Sequence, residues 1–232
     1  PVLTKNELGE NYGMVAYGNA IAEWNVQAAS FASYITGKTA ADVAAIAVDE
    51  KTAPTDADLT ASVTIKIGGF QDLIAKAAGA ETQEGALKTG LALVANAKDS
   101  KSATAEEAGE GKYDVTMVAV LVDDNGVIQD CIIDGIAASI EFDATGAITT
   151  DLTAAPQTKN ELGEAYGMKA IAYAKFEWNE QAANFAAYVT GKTAADVAGI
   201  AVSEGKPADA DLSATVTIAI GGFQALIAKA AQ

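Results

Sequence analysis

Histidine is absent from this chain of 232 residues, and there is a single cysteine, Cys131. The first absence removes the commonest general base and the commonest transition-metal ligand. The second excludes an intrachain disulfide and a cysteine-built zinc site. Cys131 lies in the apolar run "VIQDCIIDGI" and reads as a buried small hydrophobe rather than a reactive thiol. Basic residues are scarce: 15 Lys and Arg stand against 31 Asp and Glu, a formal net charge of −16. No basic stripe able to displace counterions is visible, which argues against nucleic acid and disfavours acidic lipid surfaces. Aromatics are only 6% of the chain, so the core must be built from small and β-branched side chains around a few large anchors. No apolar run reaches the ~18 residues that span a bilayer.

What is present is a duplication. "TKNELGENYGM" at Thr4 to Met14 returns as "TKNELGEAYGM" at Thr158 to Met168. "EWNVQAASFASYITGKTAADVAAIAV" from Glu23 returns from Glu177, and "DADLTASVTIKIGGFQDLIAKAA" from Asp56 returns from Asp209, with few changes. Residues 1–78 overlay 155–231 with a one-residue deletion near Lys51 or Gly205. A period of about 154 residues is far longer than a solenoid repeat, so a domain has been duplicated. Gly79 to Ala154 has no second copy. The expected organisation is an N-terminal helical half-repeat at 1–80 and a complete repeat at 85–232. The latter comprises a β-meander over about 88–150 and a helical unit over 155–232. The chain opens at Pro1 without initiator Met or signal peptide; it reads as starting inside a repeat, with a leader, a lipid anchor on that leader, and a first meander upstream.

Thr158 with Glu161, and Thr4 with Glu7, form capping boxes that start a short helix. Ile171, Ala174, Trp178, Ala182, Phe185 and Val189 share one helical face, so a helix is predicted from Ile171 to Val189, ended by Gly191. Tyr17, Ala20, Trp24, Ala28, Phe31 and Ile35 repeat that pattern. Thr193 and Asp196 cap the next helix. "DLSATVTIAIGGFQALIAKAA" fits both strand and helix periods; a helix from near Ser213 is predicted despite Gly221 and Gly222. In the middle segment, Thr89 to Ala97 reads as a strand and 98–112 as a polar loop. Asn125-Gly126 joins a hairpin, and Gly146 turns a second one. The sum is an α+β protein: a meander of about four antiparallel strands, followed by helices, with the helical unit duplicated at the N-terminus.

Several stretches bear on chemistry. "DDNG" at Asp123 lacks the alternating ligands of a calcium loop and reads as a turn. "EWN" at Glu23 and Glu177 has the residues of a glycan platform, but its Trp lies on the apolar stripe and reads as a core anchor. Asp56 with Asp58, and Asp209 with Asp211, are carboxylate pairs of the kind glycosidases use; before a helix start they read as caps. Ser213, Thr215 and Thr217, placed at a predicted helix N-terminus, would offer hydroxyls and free N–H groups to a phosphate, against the nearby acids.

Taken together, "VTMVAVLVDDNGVIQDCIID", the helices, and "DADLSATVTIAIGGFQALIAKA" resemble the FMN-binding domain family of bacterial extracytoplasmic proteins. In that family a β-meander precedes Asp-x-x-Ser/Thr-Gly-Ala-Thr/Ser and then a helix. The last hydroxyl can be joined to FMN through a phosphoester by a Mg²⁺-dependent flavin transferase. Asp209, Ala214 and Thr215 match in order, as do Asp56, Ala61 and Ser62 in the first copy. Leu212 and Leu59 stand where the family has Ser or Thr, and Ser213 and Thr60 where it has Gly. The resemblance implies the fold more than the cofactor: FMN, noncovalent rather than covalent, or another small ligand would be held around Asp209, Ser213, Thr215 and Thr217, with Trp178 or a tyrosine stacking on it and Asp56 and Ser62 as first-copy counterparts.

Two function classes stand open. One is an extracytoplasmic module binding FMN or another small ligand. The other is a surface structural or interaction protein without cofactor, binding a partner, a glycan or itself, with homo-oligomers formed by swapping. No nucleophile–base pair is visible, so a hydrolase is a distant third.

Overall fold

The computed structural model describes residues 2–79, 87–171 and 174–232. The chain divides into two compact units, Leu3–Gln83, and Pro1–Val2 together with Glu84–Gln232. The Leu3–Gln83 unit is helical. It contains α1 (Lys5–Leu8), α2 (Met14–Gly18), α3 (Trp24–Ile35), α4 (Ala40–Ala44), α5 (Ala57–Thr60) and α6 (Gly68–Ala77). Side-chain caps set most of these starts. Thr4 and Glu7 form a reciprocal capping box on α1, Thr39 and Asp42 another on α4, and Asp56 caps α5. Phe31, Val43, Leu59, Val63, Ile65 and Ile67 form the unit's buried core.

The Glu84–Gln232 unit adds a sheet. Strands β1 (Lys88–Asn96), β2 (Gly109–Val122) and β3 (Ile128–Phe142) pair antiparallel in the order β1-β2-β3. The register sets Ala92 opposite Val118, and Val118 opposite Ile133. With Val120, Val122 and Cys131 these residues make one buried face, as the period-2 alternation requires. The β2–β3 turn holds Gly126 at φ 76°, with Asp123 accepting from the Asn125 and Val127 amides.

Onto that face packs a second helical layer: α7 (Lys159–Leu162), α8 (Met168–Ile171), α9 (Trp178–Val189), α10 (Ala194–Ala198), α11 (Ala210–Ser213) and α12 (Gly221–Ala230). A two-stranded ribbon, β4 (Val202–Ser203) with β5 (Lys206–Pro207), links α10 to α11. Phe185, Val189, Phe223, Leu226 and Ile227 meet the sheet residues in one core. The fold is α+β.

Three expectations are corrected. The helix predicted from Ile171 begins at Trp178 instead. Glu177 sits at the break, extended at φ −69° and ψ 163°, and its carboxylate accepts the amides of Met168 at 2.8 Å and Lys169 at 3.0 Å. That bond holds the preceding helix as a separate piece. The helix predicted from Ser213 begins at Gly221, because the intervening backbone is bound elsewhere, as described below. The hairpin at Gly146 turns as expected, but its return leg is a single bridge, Phe142 to Ile148, rather than a fourth strand.

Cys131 is 7% exposed. Burial, with a smaller contribution from neighbouring Asp130, raises its thiol from 9.0 to about 12. Native protein at pH 8 is therefore expected to resist iodoacetamide, with labelling appearing only in denaturant; rapid native labelling would contradict the buried placement. Because the folded value lies above the unfolded one, the folded state keeps the proton longer. Its contribution is complete below pH 9 and is lost as pH rises towards 12.

Candidate functional site

The segment Asp209–Thr217, with its counterpart Asp56–Thr64, was singled out from sequence. Asp209 caps α11, its carboxylate accepting the Leu212 amide at 2.9 Å. Asp56 accepts from Asp58 and Leu59 at 3.0 and 3.1 Å. The hydroxyls do not stand at a helix N-terminus. Ser213 ends α11 and donates to the Ala210 carbonyl at 3.1 Å. Thr215 donates to the Leu212 carbonyl at 3.4 Å, and Ser62 to the Leu59 carbonyl at 3.4 Å.

Thr217 belongs to a different arrangement. Gln181, fully buried on α9, accepts three donors at one oxygen: the Thr217 amide at 2.7 Å, its hydroxyl at 3.1 Å and the Ile218 amide at 3.1 Å. Its Nε2 donates to the Phe176 carbonyl at 2.9 Å. The first copy repeats every bond. Gln27 accepts from the Thr64 amide and hydroxyl and the Ile65 amide at 2.7, 3.1 and 3.2 Å, and donates to the Ala22 carbonyl at 2.7 Å. Between these bonds Leu212, Val216 and Ile220 fill the core. The donors proposed for a phosphate are thus already engaged within the protein. The uncapped helix start lies further on, at Gly221; the ambiguous period of "ATVTIAIGG" hid it.

Trp178 is buried. Its ring meets Phe223 edge-on at 6.0 Å, and Lys159 Nζ lies 5.1 Å from the ring centroid. The ring is thus enclosed in the core rather than presented to solvent. Asp209 and Ser213 bracket α11, and Thr215 and Thr217 lie in the backbone just after it, whereas Trp178 is taken up in the core. Among the described residues no cluster of three or more metal-ligating side chains occurs, and no helix is long and apolar enough to cross a membrane.

A second candidate emerges from comparing the two copies. Trp178, Ala182, Ala186, Val189, Phe223, Leu226, Ile227 and Ala230 are buried in the Glu84–Gln232 unit. The identical or near-identical residues Trp24, Ala28, Ala32, Ile35, Phe70, Leu73, Ile74 and Ala77 are half-buried or exposed in the other. Leu226 is 5% exposed and its counterpart Leu73 64%. An open groove of about 480 Å³ on the Leu3–Gln83 unit is lined in part by Lys5, Tyr12, Trp24, Lys66 and Phe70, with Lys5 Nζ 4.8 Å from the Trp24 ring centroid. Sequence comparison could have located this face, since the duplicated residues are printed twice and the sheet once.

No protein-family model and no solved structure matches the chain. It is similar to a chlorophenol reductase of Desulfitobacterium hafniense, 32% identical over 131 residues. That alignment covers 48% of this chain and 36% of the relative, so the chain spans little more than a third of the relative's length.

Proposed function

We propose that this chain is an extracytoplasmic interaction module whose repeated helical layer recognises a partner surface, with no cofactor in the Asp209–Thr217 segment. One observation carries the reading: in both copies a fully buried glutamine engages the amide and hydroxyl of the segment's last threonine, Thr217 or Thr64, while the Thr215 and Ser62 hydroxyls donate to carbonyls three residues back. That segment then serves as the joint tying α11 and the following backbone to α9, and the free surface of the molecule lies on the exposed helical face instead. The acidic, well-solvated composition, with net charge −16, suits a protein acting outside the cytoplasm.

A second reading keeps a small redox ligand. It is supported by the similarity to a protein named chlorophenol reductase and by the groove at Trp24. A concavity of about 220 Å³ beside Tyr113 and Lys112 is smaller than the ~300–1,000 Å³ of ordinary ligand pockets. The groove of about 480 Å³ falls within that range, and Lys5 and Lys66 could face an anionic group there.

The two readings part on one preparation. Under the first, protein from its native host is colourless, carries no added mass on the peptides that contain Thr215 and Ser62, and gives no saturable response to FMN with Mg²⁺. A flavin spectrum, or an added mass mapping to Thr215 or Ser62, would overturn it; a flavin spectrum without added mass would favour the groove.

A further inference from the structure

We propose that the exposed face of the Leu3–Gln83 unit is a docking surface for a β-meander of the same repeat type as Lys88–Phe142, one carrying no helical layer of its own. This deepens the interaction reading and rests on it. The occupant is identified by what the second copy of the same face already holds. There, α9 and α12 pack their apolar stripes on the sheet, and three polar fasteners fix the register.

The first fastener is a cation. Lys159, its side chain 8% exposed, lies 3.5 Å from Asp114 of β2. The second is an asparagine. The Asn160 amide donates to Asp134 at 3.1 Å and its side chain to the Ile133 carbonyl at 3.0 Å. The third is backbone. The Gly191 amide donates to the Ile128 carbonyl at 2.8 Å, and the Ile128 amide donates to the Lys192 carbonyl at 2.9 Å. The same residue types stand at the same places in the first copy, as Lys5, Asn6, Gly37 and Lys38. Among the described residues, Lys5 has no carboxylate at ion-pair distance, Asn6 no side-chain acceptor, and Gly37 and Lys38 no strand partner.

An apolar stripe alone could meet many partners. A stripe accompanied by an unpaired lysine, an unused asparagine and an open backbone donor and acceptor, all in the geometry that grips a sheet elsewhere in the molecule, specifies an antiparallel meander with an aspartate facing the lysine. A flat lipid surface offers no aspartate and no strand edge. The sheet of a second copy is a poor donor, because its matching face is already held by a tethered layer with nearly the same residues, and tethering favours the intramolecular layer.

The test uses the full chain, extended at Pro1 by a copy of residues 87–154, so that the first helical layer follows a meander as the second does. Hydrogen exchange is read at Trp24–Ile35 and Gly68–Ala77, alongside binding of an apolar fluorescent dye. In the extended chain, exchange at these helices should slow by about 100-fold or more and dye emission should fall. Lys5→Glu in that chain should restore roughly tenfold of the exchange. Unchanged exchange overturns the proposal whether or not the added strands are themselves protected, since docking requires both partners to order together. If the unextended chain instead self-associates and protects these same amides, a second copy is the occupant; the meander assignment fails while the interaction reading survives. Full protection in the dilute unextended monomer would remove both.

Discussion

Gln181→Leu is expected to destabilise the Glu84–Gln232 unit by about 3–5 kcal/mol. The volume change is small, so the loss is one of hydrogen bonding. Leucine strands the amides of Thr217 and Ile218 and the Phe176 carbonyl, all of which now end on one carboxamide. These groups are partly buried, and stranding each one costs on the order of 1 kcal/mol or more. Urea titration followed by tryptophan fluorescence would read the loss, analysed for more than two states because the chain has two units. Gln27→Leu should act equally on the other unit, through the same four bonds. A loss below about 1 kcal/mol would mean the Thr217 loop rearranges freely, and would return the segment to consideration as a ligand loop.

Gly90→Ala should cost about 3 kcal/mol, near the upper end of overpacking effects. A Cβ on Gly90 would lie 1.7 Å from the Ala230 carbonyl oxygen and 2.6 Å from its carbon. Both are backbone atoms at the end of α12, which packs on β1 and β2. No rotamer change relieves that clash; α12 must lift off the sheet or β1 must shift. Gly221→Ala is the matched control, because a Cβ there meets nothing within 4 Å, and helix propensity predicts a gain of about 0.5–1 kcal/mol. Thermal melts of the two variants should move in opposite directions. Equal melts would show that α12 is not seated against Gly90.

The strands were legible because each is a local pattern. Val118, Val120 and Val122 alternate inward, and Asn125-Gly126 marks their turn. The capping boxes at Thr158 and Thr193 were equally local. The break before Trp178 was not. Its cause is a carboxylate that reaches back nine residues to Met168, while the apolar spacing runs straight through the gap. The loop after Ser213 was misread for a similar reason: Gln181 lies 36 residues from Thr217, and no short window contains both. For the candidate site, the resemblance fixed attention on Asp209–Thr217, yet the residues that decide its state, Gln181 and Gln27, lie outside that motif. The exposed face was legible in outline, because two helical layers share one meander in the sequence. What the sequence withheld was which backbone and side-chain groups that imbalance leaves unpaired.

The carboxylate clasps at helix starts and turns also determine how the molecule meets acid. Asp42 and Asp196 are held below the ordinary 3.8 chiefly by the hydroxyls of Thr39 and Thr193. Asp143 is lowered in the same way by Thr145, and Glu180 by the Glu177 amide and then by Lys169. A depressed folded value means that their contribution is complete above the unfolded value and disappears only as pH falls through the lower, folded one. At the alkaline end the buried thiol holds its proton towards 12. Between these limits the chain lacks histidine, the side chain whose charge ordinarily changes around neutrality. The helix clasps therefore stay fastened through the mildly acid and neutral range, and the surroundings can sour or sweeten there without loosening them.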